Sequence, residues 1–226
     1  MDTQELQDYH VSISKEELAS LPLALYDGDV RIIDDEKLVD DALRMLRSSS
    51  IIGFDTETRP SFRKGMTNRV ALVQLAIPGV CFLFRVNQIG FHPGLKEILE
   101  NEELLKIGVS VHDDFNNLRK IDENFAPGGF VDLQTFVKDY QISDNSLQKI
   151  YGIVFGERIS KSQRLSNWEA EEYSQSQQNY AALDALACIN IYNYLVSGKF
   201  VPSESPYYRR IEREEELKHE DPELKM

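Results

Sequence analysis

The strongest constraint on this chain is Ile51-Ile52-Gly53-Phe54-Asp55-Thr56-Glu57-Thr58, an apolar run that delivers two carboxylates two residues apart. On a strand, side chains at i and i+2 project to the same face. That sets Asp55 and Glu57 side by side, roughly 6 to 7 Å apart at the Cα atoms. Like charges this close raise each other's pKa unless a cation lies between them. Hard divalent ions such as Mg²⁺ prefer oxygen sites of that kind. The pair is half of a metal site, and the rest of the chain has to supply the other half.

The chain has 226 residues, 42% of them hydrophobic, enough for one substantial core and a single domain by default. The N-terminal Met1-Asp2-Thr3-Gln4-Glu5 is polar and acidic, unlike a signal peptide, and no apolar stretch is long enough to span a bilayer. A cytoplasmic protein with no membrane partner is the expectation. Cys81 and Cys188 lie far apart in apolar surroundings and read as two buried free thiols. A net charge of -13 argues against diffuse electrostatic binding to nucleic acid or anionic lipid. A local basic groove is still open to the chain, because binding depends on where the cations lie.

Residues 1–28 read as a peripheral N-terminal arm, with Ser14 and Glu17 as a capping box for a short helix that Leu21-Pro22-Leu23 ends. A strand at Val30-Arg31-Ile32-Ile33 leads to Asp35 as an N-cap. Leu38, Ala42, Met45 and Leu46 then recur at helical spacing until Ser48-Ser49-Ser50. After the acidic strand at 51–57 comes a polar, basic segment from Arg59 to Asn68. Strands at 70–77 and 80–86 are joined by Pro78-Gly79 as a hairpin turn. A short helix at 93–100, a buried strand at 105–111 and a helix at 113–120 follow, the last with Phe115, Leu118 and Ile121 on its apolar side. A strand at 130–133 runs into a helix near 134–140. Another helix covers 146–151 and a long one 169–195. Strands paired as a meander, then alternating with helices, predict an α/β domain with a mixed β-sheet flanked by helices. That domain is expected over 29–197. Residues 198–226, with the run Arg209-Arg210-Ile211-Glu212-Arg213-Glu214-Glu215-Glu216, are expected to be a charged C-terminal tail.

Two further acidic clusters stand out. In Gly108-Val109-Ser110-Val111-His112-Asp113-Asp114 a buried strand passes into a helix. In Tyr180-Ala181-Ala182-Leu183-Asp184-Ala185, residues four apart share a helix face, so Tyr180 and Asp184 point the same way. Asp184 lies on an apolar, alanine-rich stretch, where an unpaired carboxylate is costly and calls for a cation or a hydrogen-bond partner. Taken singly, Asp114 reads as a helix cap and Tyr180 as a half-buried core aromatic. Their order and context favour another reading: strand Asp-x-Glu, then strand-to-helix Asp with Leu four residues on, then helical Tyr-x-x-x-Asp.

That ordered set resembles the DEDD superfamily of 3′-5′ exonucleases, built on the ribonuclease H-like fold, over roughly Val30 to Leu195. Phe54-Asp55-Thr56-Glu57 resembles the first exonuclease motif. Lys106-Ile107-Gly108-Val109 with Asp114 and Leu118 resembles the second, and Asn179-Tyr180-Ala181-Ala182-Leu183-Asp184-Ala185 the third. The tyrosine four residues before the last aspartate marks the DEDDy branch; the DEDDh branch has histidine at the position of Asn179. Arg164-Leu165-Ser166-Asn167-Trp168 resembles the segment before the third motif in Werner-type exonucleases. Ribonuclease D is the other near relative, although an extra helical domain of its kind is not expected from these residues. Asp113 beside Asp114 leaves the register ambiguous, and the spacing to Leu118 favours Asp114.

The resemblance implies cleavage of phosphodiester bonds from the 3′ end of DNA or RNA with two divalent cations, Mg²⁺ or Mn²⁺. Asp55 would bridge the ions, Glu57 and Asp184 would complete the site that activates water, and Asp114 would help to hold the second ion. With an ordinary pKa near 10, Tyr180 is a poor base at neutral pH and is expected to orient the attacking water. The partner is single-stranded or 3′-ended nucleic acid. Arg59, Arg63, Lys64 and Arg69 could grip phosphates, or could be a solvated loop. Lys161 and Arg164 form a second candidate patch. Trp168 could stack on a base or serve as a packing anchor. Phe62 and Met66 are candidates to wedge against the terminal base, and His112 reads as structural. The alternatives are a catalytically silent nucleic-acid-binding module on this fold, or a different ribonuclease H-like metalloenzyme such as an endonuclease.

Overall fold

A computed structural model describes residues 9–60 and 68–211. Its elements begin with β1 (Tyr9–Val11), α1 (Lys15–Ser20), β2 (Asp29–Ile33), α2 (Glu36–Arg47), β3 (Ile51–Thr58), β4 (Val70–Ile77) and β5 (Val80–Phe84). They continue with α3 (Val86–Ile89), α4 (Pro93–Glu100), β6 (Leu105–Gly108), α5 (Val111–Arg119), β7 (Phe130–Asp132) and α6 (Leu133–Phe136). The last are α7 (Leu147–Phe155), α8 (Gln175–Val196) and β8 (Tyr208–Arg210), with short 3-10 turns at Val137–Tyr140 and Pro202–Glu204.

Six strands form one mixed sheet in the order β2-β5-β4-β3-β6-β7. The meander β3-β4-β5 is antiparallel, and Gly79, with φ +86°, makes its second turn possible. Strands β2, β6 and β7 join in parallel, each entered after a helix. This is the predicted α/β architecture with a mixed sheet. The two faces of β3 do different work. Ile52 and Phe54 join a core with α2, α4 and α5, through residues such as Leu43, Leu99 and Phe115. Gly53, Asp55 and Glu57 alternate with them and face α8, whose Ala181, Ala185 and Ile189 cover that side with Ala71 and Ala76 of β4.

Several elements differ from expectation. The strand expected over 105–111 stops at Gly108, because Ser110 adopts a left-handed conformation (φ 61°) and α5 starts at Val111. The long helix begins at Gln175, set by a capping box between Ser174 and Gln177, rather than near 169. Helix α7 runs on to Phe155, where Gly156 closes it in the left-handed region. The predicted capping boxes and caps at Ser14–Glu17 and Asp35 are present. In the segment expected as an arm, Val11 and Ile13 are wholly buried, and β1 pairs antiparallel with β8 from the expected tail. Cys81 and Cys188 are free and buried. Among the described residues no helix is long and apolar enough to cross a membrane.

Candidate active site

Strand β3 carries Asp55 and Glu57 out of the core in the middle of the sheet, with Asp55 opposite Gln74 and Glu57 opposite Leu72 on β4. The ladder shifts register immediately after Glu57, ending regular pairing at the carboxylates. Helix α8 lies directly over this face. A Cβ added to Gly53 would sit 1.9 Å from the Ala185 carbonyl oxygen, so glycine alone permits this approach. The contact sets Asp184, one residue before Ala185, against the strand. One ligand oxygen each from Asp55, Glu57 and Asp184 lies within 4.8 Å of the others.

Asp114 arrives differently. It sits in the first turn of α5, the helix that packs on the opposite face of β3 through Val111, Phe115 and Leu118. Its carboxylate meets the strand at Thr56, whose hydroxyl donates a hydrogen bond to it. The helix-cap alternative for Asp114 fails, because another residue caps α5. Asp132, at the end of β7, accepts from the N–H of Ser110 at 3.0 Å and of Val111 at 3.2 Å. Asp113 is exposed, whereas Asp114 is half-buried against the strand.

The electrostatics of the cluster all run one way. Burial, then neighbouring carboxylates, push Asp55, Glu57 and Asp114 well above the ordinary carboxylate range. Burial also raises Asp184, against the lowering effect of the Tyr180 hydroxyl. Tyr180 is itself raised by burial and by the Asp184 carboxylate beside it. Arg164 opposes the rise at Glu57. Gln74, across from Asp55, is fully buried and its amide has no hydrogen-bond partner. Such a group costs on the order of 1–3 kcal/mol. An all-oxygen donor set of crowded, half-buried carboxylates fits a hard divalent cation, which would stabilise the charged forms.

A cleft of about 310 Å³ exposes Asp55, Tyr180 and Asp184, and Lys161 and Arg164 line it with them. Of the other candidate contacts, Arg59 pairs with Glu169 at 3.2 Å and Arg69 is exposed. Arg63, Lys64, Phe62 and Met66 lie outside the described residues. Trp168 as a base-stacking platform is corrected: its indole is wholly buried and packs on the rings of Tyr173 and Tyr180. His112 is exposed and meets Phe115 edge-on. Sequence reasoning passed over Thr56, Asp132 and Gln74. Only Gln74 left a trace, as the one polar residue inside the apolar run Val70–Ile77.

The 3′-5′ exonuclease family model matches residues 30–198, which contain every carboxylate of the cluster. The chain belongs to the 3′-5′ exonuclease family. The resemblance to the DEDDy exonucleases is supported by relatives as well as by motifs. The chain is 32% identical over 171 residues to the mouse bifunctional 3′-5′ exonuclease/ATP-dependent helicase WRN, covering 70% of this chain and 12% of that protein. It is 31% identical over 162 residues to an Arabidopsis thaliana 3′-5′ exonuclease, covering 65% of this chain and 52% of that one. This exonuclease-family chain thus spans about half or less of the length of these relatives. In fold it is similar to the Aedes aegypti Nibbler EXO domain, with a TM-score of 0.68 at 24% identity, covering 81% of this chain and 96% of the domain. It is also similar to Trypanosoma brucei RNase D in complex with RNA U12, with a TM-score of 0.66 at 22% identity, covering 83% and 66%.

Proposed function

We propose that this family member is a metal-dependent 3′-5′ exonuclease that removes nucleotides from the 3′ end of DNA or RNA. The observation that carries this reading is the convergence of Asp55, Glu57 and Asp184 within 4.8 Å on one face of β3. Asp55, Glu57 and Asp184 would hold Mg²⁺ or Mn²⁺, with Asp114 at the edge of the set. Two such ions, when bound, supply an activated water and neutralise the charge on the phosphorane and the leaving 3′ oxygen. The protein's own groups do the rest. Tyr180, its hydroxyl held protonated by burial and by donation to Asp184, orients the water by accepting a hydrogen bond from it and does not remove its proton. Lys161 and Arg164, on the wall of the same cleft, draw the phosphate in. The family relationship and the RNA held by the T. brucei homologue of fold support nucleic acid as the substrate.

The test is degradation of a single-stranded oligonucleotide labelled at either end, with Mg²⁺ or Mn²⁺. A ladder from the 5′-labelled strand, abolished by chelator, is the expected result, as is an intact circular strand. Binding without degradation would instead make the chain a silent binding module. Cleavage of the circle would make it an endonuclease.

A further inference from the structure

A second cavity of about 210 Å³ opens beside the carboxylate cleft, and Tyr180 lines both. The turn at 160–164 forms the partition. Lys161 and Arg164 border the carboxylate cleft, whereas Ser160 and Ser162 border the second cavity. The outer wall is the segment from Leu23 to Tyr26, and α8 adds Asn179 and Leu183. This wall is fastened to the segment that leads into the turn. The Ala24 N–H donates to the Arg158 carbonyl at 3.0 Å, and the Arg158 N–H donates to the Pro22 carbonyl at 2.8 Å. Leu25 is held at the rim with 82% of its surface exposed. None of the described residues lining this cavity carries a charge, although 28% of the chain is charged.

We propose that this cavity receives one unpaired nucleobase of the substrate strand, whose phosphate lies across the 160–164 turn beside Lys161 and Arg164. The proposal rests on the nuclease reading of the adjoining cleft. A single strand alternates a charged phosphate with a flat, neutral base, and the two sides of the turn alternate in the same sense. The aliphatic side chains of Leu23, Leu25 and Leu183 suit the faces of a base, and Ser160, Ser162 and Asn179 offer donors and acceptors to its edge. A base committed to a duplex cannot enter a walled cavity, so the substrate class is a strand with an unpaired 3′ segment. Affinity drawn from a neutral pocket also suits a protein of net charge -13, because it needs few phosphate contacts.

The test measures binding with metal chelated, by fluorescence anisotropy of 5′-fluorescein oligo(dT) and oligo(rU). An abasic site is placed in turn at each of the last few 3′ positions. One position is expected to weaken binding by roughly fivefold or more. Leu25→Ala should weaken the intact oligonucleotide by a comparable factor, yet leave unchanged the affinity for the strand already abasic at that position. Ser162→Trp, at an exposed residue whose change does not threaten the fold, should fill the cavity and act alike. The proposal is overturned if no abasic position matters, or if the abasic and Leu25 effects simply multiply. The two readings fail separately. A ladder with Mg²⁺ or Mn²⁺ but no coupling sinks the cavity alone. Coupling without a ladder sinks the nuclease and keeps the cavity.

Discussion

Asp184 and Asp114 reach the same strand by opposite physical routes. Asp184 is placed by packing: a helix rests on β3 where Gly53 has no side chain, amid Ala181, Ala182 and Ala185, which are buried. Asp114 is placed by hydrogen bonds: Thr56 holds its carboxylate, and Asp132 fixes the start of its helix from the neighbouring strand. One side of the site is a rigid wall, and the other is adjustable through single polar contacts. Close-packed interiors transmit a displacement, whereas one lost hydrogen bond is a local loss.

The largest effect should come from removing the carboxylate that serves both sides. Asp55→Asn is expected to lower the rate by more than roughly 100-fold, beyond what a neighbour of a metal ligand costs. The metal-free protein should melt no lower than wild type, because like-charge crowding is relieved. Wild-type rates would break the metal assignment.

Next comes the packed side. In Gly53→Ala the new methyl meets backbone, which cannot rotate away, so α8 must lift. Overpacking of this kind costs about 1–3 kcal/mol, and a shift of the catalytic groups by an ångström costs on the order of 10²-fold in rate. Calorimetry and turnover measured on the same sample would show both losses together. Tyr180→Phe sharpens the point, since it keeps the helix where it is. It should cut turnover by roughly 10²-fold while metal binding, followed by titration calorimetry, stays at the wild-type level.

The hydrogen-bonded side should give a smaller response. Thr56→Val keeps the shape and deletes the donor to Asp114. A loss of roughly tenfold in rate is expected, partly recovered by raising the metal concentration. If Thr56→Val proved as damaging as Gly53→Ala, the distinction between a packed and a tethered carboxylate would collapse.

The same distinction explains what the sequence made legible. The packed wall is written in local pattern. Alternation along 51–58 puts Asp55 and Glu57 on one face, and a four-residue spacing on an alanine-rich helix puts Tyr180 beside Asp184. The tethered side depends on partners remote in the chain. Thr56 lies 58 residues from Asp114, and Asp132 lies 22 residues from Ser110. No periodicity marks such pairs. The strands β1 and β8, three residues each, pair across nearly the whole chain and left no signal for the same reason. Trp168 was ambiguous until its burial was known, because packing and stacking ask for the same side chain.

The smallest effect is a dependence on pH in the metal-free protein, and its sign is opposite to that of a carboxylate whose pKa is lowered by an ion pair. Burial raises Asp184 from the usual carboxylate value to about 7, and raises Asp55 further in the same direction. Between those two limits the folded chain holds protons that the unfolded chain has already released. Stability contributed by these groups is therefore complete below the unfolded pKa and is lost as pH rises through the folded one. With chelator present, melting temperature should fall from about pH 5 toward pH 8. Asp184→Asn, which keeps the shape and removes the titration, should flatten part of that slope. Thr56→Val should leave most of it, because Asp114 is one contributor among four. Adding Mg²⁺ or Mn²⁺ at the upper pH should restore the lost stability by binding the folded state alone. A metal-free protein whose melting temperature rose steadily across this range would show that the packed wall is not holding its carboxylates under strain.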